Sequence, residues 1–117
     1  MNLIVEERAD GIAVVRWAEP VSLDASHADE LRERVAEVER GHSRIVFDMR
    51  HLEFIDSSIV GALVGFLQRA RAADGDVKLA GLTGDVVTIF ELTRLNEVFR
   101  IHSSVEAAVQ DFANPVS

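Results

Sequence analysis

Asp56, Ser57 and Ser58 stand between a short apolar run, Leu52-Glu53-Phe54-Ile55, and a longer one that begins at Ile59. One carboxylate and two hydroxyls at a helix start accept hydrogen bonds from the unpaired N–H groups of its first turn. The same N–H groups and the helix dipole favour negative charge, so a hydroxyl there can also carry a phosphate. An aspartate alone supplies a good cap, which makes two further hydroxyls surplus to capping. The triplet also follows a strand-like run, and open α/β sheets place their sites at strand ends. It is therefore the candidate chemistry of the chain, with plain capping as the alternative.

Other constellations are absent. His27, His42, His51 and His102 lie on four separate segments, with no partner at metal-ligand spacing. They read as solvent-facing or capping histidines. No Gly-x-Ser-x-Gly elbow occurs. Gly61-x-x-x-Gly65 is not followed by Gly-Lys-Ser/Thr, so it reads as helix packing rather than a phosphate loop. With no cysteine there is no disulfide framework and no thiolate chemistry. No cofactor is implied.

The 117 residues are expected to form a single domain, 1–117. Twelve basic against twenty acidic residues give a formal charge of -8. That balance argues against a nucleic-acid binder, which needs a basic face to neutralise phosphates, and against docking on anionic lipid. The N-terminal residues have neither a basic stretch nor a long apolar one. The apolar-rich run 57–67 is too short to span a bilayer. A cytoplasmic protein is expected.

Around the triplet the chain alternates between strand-like and helix-like patterns. Leu3-Ile4-Val5 and Ile12-Ala13-Val14-Val15-Arg16-Trp17, separated by Ala9-Asp10-Gly11, predict a hairpin. Pro20 breaks the pattern. Asp24 or Ser26 then caps a helix whose apolar set is Ala28, Leu31, Val35 and Val38, with charge on the other faces and Gly41 as its stop. Arg44-Ile45-Val46-Phe47-Asp48-Met49 reads as a buried strand. The helix after the triplet, about residues 57–73, is apolar or small on every side in its first half, which predicts burial all round. Gly61, Ala62 and Gly65 are expected to let it lie close to the sheet.

Residues 77–82 predict a further strand, and Thr83 or Asp85 caps a third helix carrying Val86, Val87, Ile89, Phe90 and Leu92. Residues 98–101 predict a short strand. Ser103 and Glu106 fit a capping box before a last helix with Val105, Ala108, Val109 and Phe112 inside, ended by Asn114-Pro115. A hairpin followed by alternating helices and strands is an α/β pattern, a mixed sheet with an antiparallel N-terminal edge and about four helices.

The stretch Phe54-Ile55-Asp56-Ser57-Ser58-Ile59-Val60-Gly61-Ala62-Leu63 resembles the phosphorylation-site motif of bacterial anti-sigma factor antagonists, the STAS domain family. Leu23-Asp24-Ala25-Ser26-His27-Ala28 is similar to the segment opening the family's first helix, residues 44–49 to its central strand, and residues 90–99 to the segment closing its third helix. The resemblance implies a STAS-like fold and a protein that is a substrate rather than an enzyme. It implies Ser57 as phosphoacceptor, with Asp24, His27, Asp56, Ser58 and Ile59 on the partner face. The implied partner is an anti-sigma factor that is itself a serine kinase, with a serine phosphatase as the opposing enzyme and the protein a monomer or weak dimer. A phosphate on Ser57 is expected to be tolerated by the helix dipole and the first-turn N–H groups. Other roles known for the family are a stressosome-like scaffold and a module of a transport assembly; a small enzyme or ligand carrier is the alternative from another class. Three positions depart from the family's usual residues. Ile59 stands where glycine is common and is expected to be partly exposed, the segment before Asp24 is one residue longer, and Arg94 replaces a frequent glycine.

Overall fold

The computed structural model describes residues 1–114. Two strands, β1 (Leu3–Arg8) and β2 (Ile12–Trp17), form the expected antiparallel hairpin. Asp10 and Gly11 turn it with positive φ angles of 64° and 72°. β2 then pairs in parallel with β4 (Arg44–Asp48), β4 with β6 (Asp76–Ala80), and β6 with β7 (Arg100–His102). The sheet order is β1-β2-β4-β6-β7, a mixed sheet with its antiparallel strand at the edge.

Two short strands outside this sheet were not anticipated as a pair. β3 (Val21–Leu23) and β5 (Leu52–Ile55) form a separate two-stranded parallel ladder. Pro20 does interrupt the first sheet, as its missing N–H requires, but the chain resumes in a second one. At the other end, β7 begins two residues later than the pattern predicted.

Strand alternation sorts the core into two layers. Ala13, Val15 and Trp17 of β2 and Ile45 and Phe47 of β4 face α1 (Ala28–Glu39), α2 (Ser57–Ala72) and α3 (Gly84–Leu92). Ile12, Val14, Val46 and Ala80 face α4 (Val105–Ala113) on the opposite side. Phe47 is central to the larger layer, stacked on Phe66 at 5.7 Å between centroids and tilted against Trp17 at 6.4 Å. The four apolar residues predicted for α1 are all buried.

α2 corrects the sequence reading. It is not buried all round: Ile59, Ala62, Leu63, Phe66, Leu67 and Ala70 point inward, whereas Gly61 is exposed. A Cβ built at Gly61 meets nothing within 4 Å, and one at Gly65 meets only the Arg69 side chain. These glycines therefore do not mediate close packing on the sheet. The glycine that does is Gly75, where a Cβ would lie 1.8 Å from the Ser43 carbonyl oxygen. α2 ends in a Schellman arrangement, with the Gly75 N–H donating to the Ala70 carbonyl at 2.8 Å and that of Asp74 to Arg71 at 3.1 Å. Asp74, not a glycine, takes the left-handed position, at φ 63°.

Caps differ in detail. α3 starts after Thr83 without a side-chain cap bond. α4 is capped by Ser104, whose Oγ accepts from the Ala107 N–H at 3.1 Å, rather than by a Ser103–Glu106 box. Glu106 instead pairs with Arg8, an attraction that holds its carboxyl below the usual range and raises the guanidinium's own value. Gly41 follows α1 but is not a left-handed cap. Pro115, expected to end α4 with Asn114, lies outside the described residues.

A charged cluster fastens α4 to the sheet. Asp111, on the inner face of α4, accepts from Lys78 Nζ at 2.7 Å, from Arg100 Nε at 3.2 Å, and lies 3.0 Å from His102 Nε2. Lys78 and Asp111 are both buried, and the Lys78 ammonium sits 4.4 Å from the centre of the Phe112 ring. The lysine's hydrogen bond outweighs desolvation and holds the Asp111 carboxyl down at about 2.

Candidate functional site

The β3–β5 ladder positions the candidate residues. Its register pairs Leu23 with Ile55, both fully buried, so the next residues, Asp24 and Asp56, emerge side by side. The Asp56 N–H donates to the Leu23 carbonyl at 3.2 Å. Each aspartate then opens a helical segment. Asp24 caps the 3-10 turn Ala25–His27, accepting from the Ser26 N–H at 2.9 Å and the Ser26 hydroxyl at 2.5 Å. His27 completes a capping box, its Nδ1 accepting from the Asp24 N–H at 3.1 Å. The Ser26 hydroxyl and N–H, with His27 adding to them, hold the Asp24 carboxyl below its ordinary value.

Asp56 caps α2, its Oδ1 accepting from the N–H groups of Ser58 at 2.9 Å and Ile59 at 3.2 Å. Its second oxygen, Oδ2, accepts from the Ala25 N–H at 2.9 Å. One carboxylate thus ties the starts of two helical segments together. The Val60 N–H makes the first bond of the helix itself, to the Asp56 carbonyl at 3.0 Å, and among the described residues the Ser57 N–H has no acceptor.

Ser57, first residue of α2, is exposed, and Ser58 is half-buried. Among the described residues no hydrogen bond to the Ser57 hydroxyl is present, so no side-chain base is arranged to activate it. The Ser58 and Ile59 N–H groups are taken by Asp56, which leaves the Ser57 N–H as the open donor of this first turn among the described residues.

The structure brings Asp24, His27, Asp56, Ser57 and Ser58 onto one rim. Ile59 does not join them: it is fully buried, against an expectation of partial exposure. The physical reason is helical phase. Three residues after the cap the backbone has turned inward, and Ile59 lies with Ala62, Leu63 and Phe66 on the core face. The Asp56–Ala25 bond had no sequence signal, since it links an aspartate to a backbone amide 31 positions away. Of the histidines expected to face solvent or cap, only His27 caps; the others are half-buried with partners of their own, His42 Nε2 3.0 Å from Glu7 Oε1 and His51 Nδ1 3.0 Å from the Trp17 carbonyl. Among the described residues no group of three or more His, Cys, Asp or Glu side chains could hold a metal ion. Nor is any helix long and apolar enough to cross a membrane.

Comparison with known proteins agrees with this frame. The family model for the STAS domain matches residues 4–108. The anti-sigma-B factor antagonist of Bacillus subtilis is 24% identical over 110 residues, covering 94% of this chain and 98% of that one. An anti-sigma-factor antagonist (STAS) domain protein of Planctomyces limnophilus superimposes with a TM-score of 0.85 at 18% identity, over 97% and 100% of the two chains. The Bacillus cell fate determinant SpoIIAA in its phosphorylated form gives 0.72 at 20% identity, over 94% and 98%. The murine anion transporter Slc26a9 gives 0.73 at 16% identity, with 92% of this chain matching 19% of that one. At these identities the structural matches establish the fold. The chain belongs to the STAS domain family, and its curated relatives are anti-sigma factor antagonists.

Proposed function

We propose that this protein is an anti-sigma factor antagonist switched by phosphorylation at Ser57. Unphosphorylated, it binds an anti-sigma factor that is itself a serine kinase, and a sigma factor is released. The kinase transfers the γ-phosphoryl group of ATP to the Ser57 oxygen; ADP leaves, and the serine proton passes to a base of the kinase. A serine phosphatase returns the hydroxyl by hydrolysis. Within the complex the protein is the substrate, and alone it is a monomer or weak dimer in the cytoplasm.

The observation that supports this reading best is the exposed Ser57 hydroxyl on a rim shared with the Asp24 and Asp56 caps. A phosphate adds about -1.5 to -2 charges, here beside two carboxylates. The added repulsion and desolvation act on whatever docks against that rim, and about 2.7 kcal/mol suffices for a hundredfold loss of affinity. Ile59 supports the rim from beneath and does not touch the partner.

The test is binding of Ser57→Asp and Ser57→Ala to the cognate kinase, with amide spectra as the check on folding. The expected result is loss of binding for Ser57→Asp and retention for Ser57→Ala. Wild-type affinity in folded Ser57→Asp would overturn the switch. The match to part of Slc26a9 favours one further reading, a STAS module within a larger assembly. Stable high-mass complexes on gentle purification, together with an unphosphorylated 56–61 peptide under all conditions, are its expected signature.

A further inference from the structure

The strand register sets Arg16, Asp48, Ala80 and His102 in one row across the sheet, at the carboxyl ends of the parallel strands and on the face that carries α4. α4 packs against β4, β6 and β7. At the β1–β2 end of the same face the sheet and the start of α4 border a cavity of about 320 Å³, with Val14, Ser103 and three arginines in its lining. The arginines come from three segments: Arg8 from β1, Arg16 from β2 and Arg50 from the turn after β4.

Two of them are already matched. Arg8 pairs with Glu6 and Glu106. Arg50 Nη2 lies 3.1 Å from Asp48 Oδ2, while Asp48 Oδ1 accepts the Arg50 N–H at 3.1 Å. Both oxygens of Asp48, the row neighbour of Arg16, are therefore committed elsewhere. Among the described residues the Arg16 side chain makes no hydrogen bond and no ion pair, although Arg16 is half-buried. A guanidinium that is partly desolvated and lacks a counterion is a costly arrangement, most of all in a chain with a formal charge of -8. A planar donor fork of this kind fits carboxylate and phosphate oxygens.

We infer that this cavity binds a small phosphate dianion, free or as a compact monoester, with Arg16 as its principal ligand. Arg50 and the Ser103 hydroxyl complete the seat. Glu6, Asp48 and Glu106 also line the cavity, Glu6 and Glu106 paired with Arg8 and Asp48 with Arg50, so Arg16 is the lining arginine left without a carboxylate partner. The volume is at the lower end of small-molecule sites, so a bulky ligand is disfavoured. Ser57 belongs to the helical layer on the other face of the sheet, so this site and the Ser57 rim can be occupied together.

The probe is inorganic phosphate, titrated into the full chain and followed by amide NMR, with sodium chloride at matched ionic strength as control. Saturable shifts are expected at Arg16, Gly81 and residues 103–106. R16Q is expected to weaken phosphate about tenfold or more, the loss of one charge-assisted bond. S103D, at an exposed position, is expected to weaken it independently by placing charge at the mouth. Tighter binding of glycerol 3-phosphate than of inorganic phosphate would identify an ester as the ligand, and equal binding the free ion. Shifts equal to those in sodium chloride, or wild-type titrations in both folded variants, would overturn the inference.

Discussion

Asp56 and Ala25 are joined by a 2.9 Å hydrogen bond from the Ala25 N–H to the Asp56 carboxylate. The same carboxylate caps α2, so one side chain maintains the spacing between two helix starts. Asp56→Ala removes both functions. The expected loss is about 1–2 kcal/mol of stability, that of a strong cap, read by urea denaturation. A second expected readout is a shift of the Ala25 and Ser26 amide resonances, which loss of the α2 cap alone would not move. Unchanged resonances there would mean that the tie between the two segments is inconsequential.

Ile59 offers a sharper test of position against family habit. Glycine is common at this place in proteins the sequence resembles, yet here the side chain is fully buried. Ile59→Gly removes a buried aliphatic group and adds a flexible residue near a helix start. Destabilisation of about 3–5 kcal/mol is expected, measured from the denaturation midpoint. A cost below about 1 kcal/mol would show that the surrounding layer collapses into the space.

Asp111 sets the acid limit of the α4 attachment. Its carboxyl is held at about 2, below an aspartate's ordinary 3.8, chiefly by Lys78. A depressed carboxylate contributes stability that is complete above its unfolded value and is lost as pH falls through the folded one. The contribution therefore disappears between about pH 4 and pH 2. Asp111→Asn is expected to remove this acid dependence. It is also expected to destabilise by about 3–5 kcal/mol at neutral pH, because it leaves buried Lys78 without its partner. Lys78→Met is expected to cost less, since Asp111 keeps Arg100 and His102. Thermal melts of the two variants from pH 2 to pH 7 separate these outcomes; equal costs would contradict the asymmetry.

Arg94 occupies the left-handed region at φ 58°. A residue with a side chain is strained there by about 1–2 kcal/mol. Arg94→Gly relieves that strain but enlarges the entropy of the unfolded chain, an opposing effect of about 0.5–1 kcal/mol. A net gain of up to about 1 kcal/mol is expected, visible as a raised melting temperature.

The elements legible in the sequence were those fixed by local periodicity. Ala28, Leu31, Val35 and Val38 define α1, the Asp10–Gly11 turn defines the hairpin, and Asp56 caps α2 as its position predicts. Features that depend on distant backbone were not legible. The β3–β5 ladder has three-residue reach on one side and follows a proline, so its pattern is too short to read. The Lys78–Asp111 pair has no sequence signal, because nothing in the β6 segment shows that a carboxylate 33 residues later, on the inner face of α4, will meet the lysine. Gly61 and Gly65 resembled packing glycines, but the rotation of α2 turned Gly61 to solvent. At the candidate site the residues were legible, while the bond that holds their spacing was not.

The β3–β5 ladder has a mechanical meaning. The Asp24 and Asp56 caps are bolted to a small bracket with its own hydrogen bonds, anchored by Leu23 and Ile55 and not shared with the five-stranded sheet. Leu23 and Ile55 are buried in the same apolar layer as Phe47 and Met49, so the bracket is clamped to the core and the separation of the two caps is set by its register.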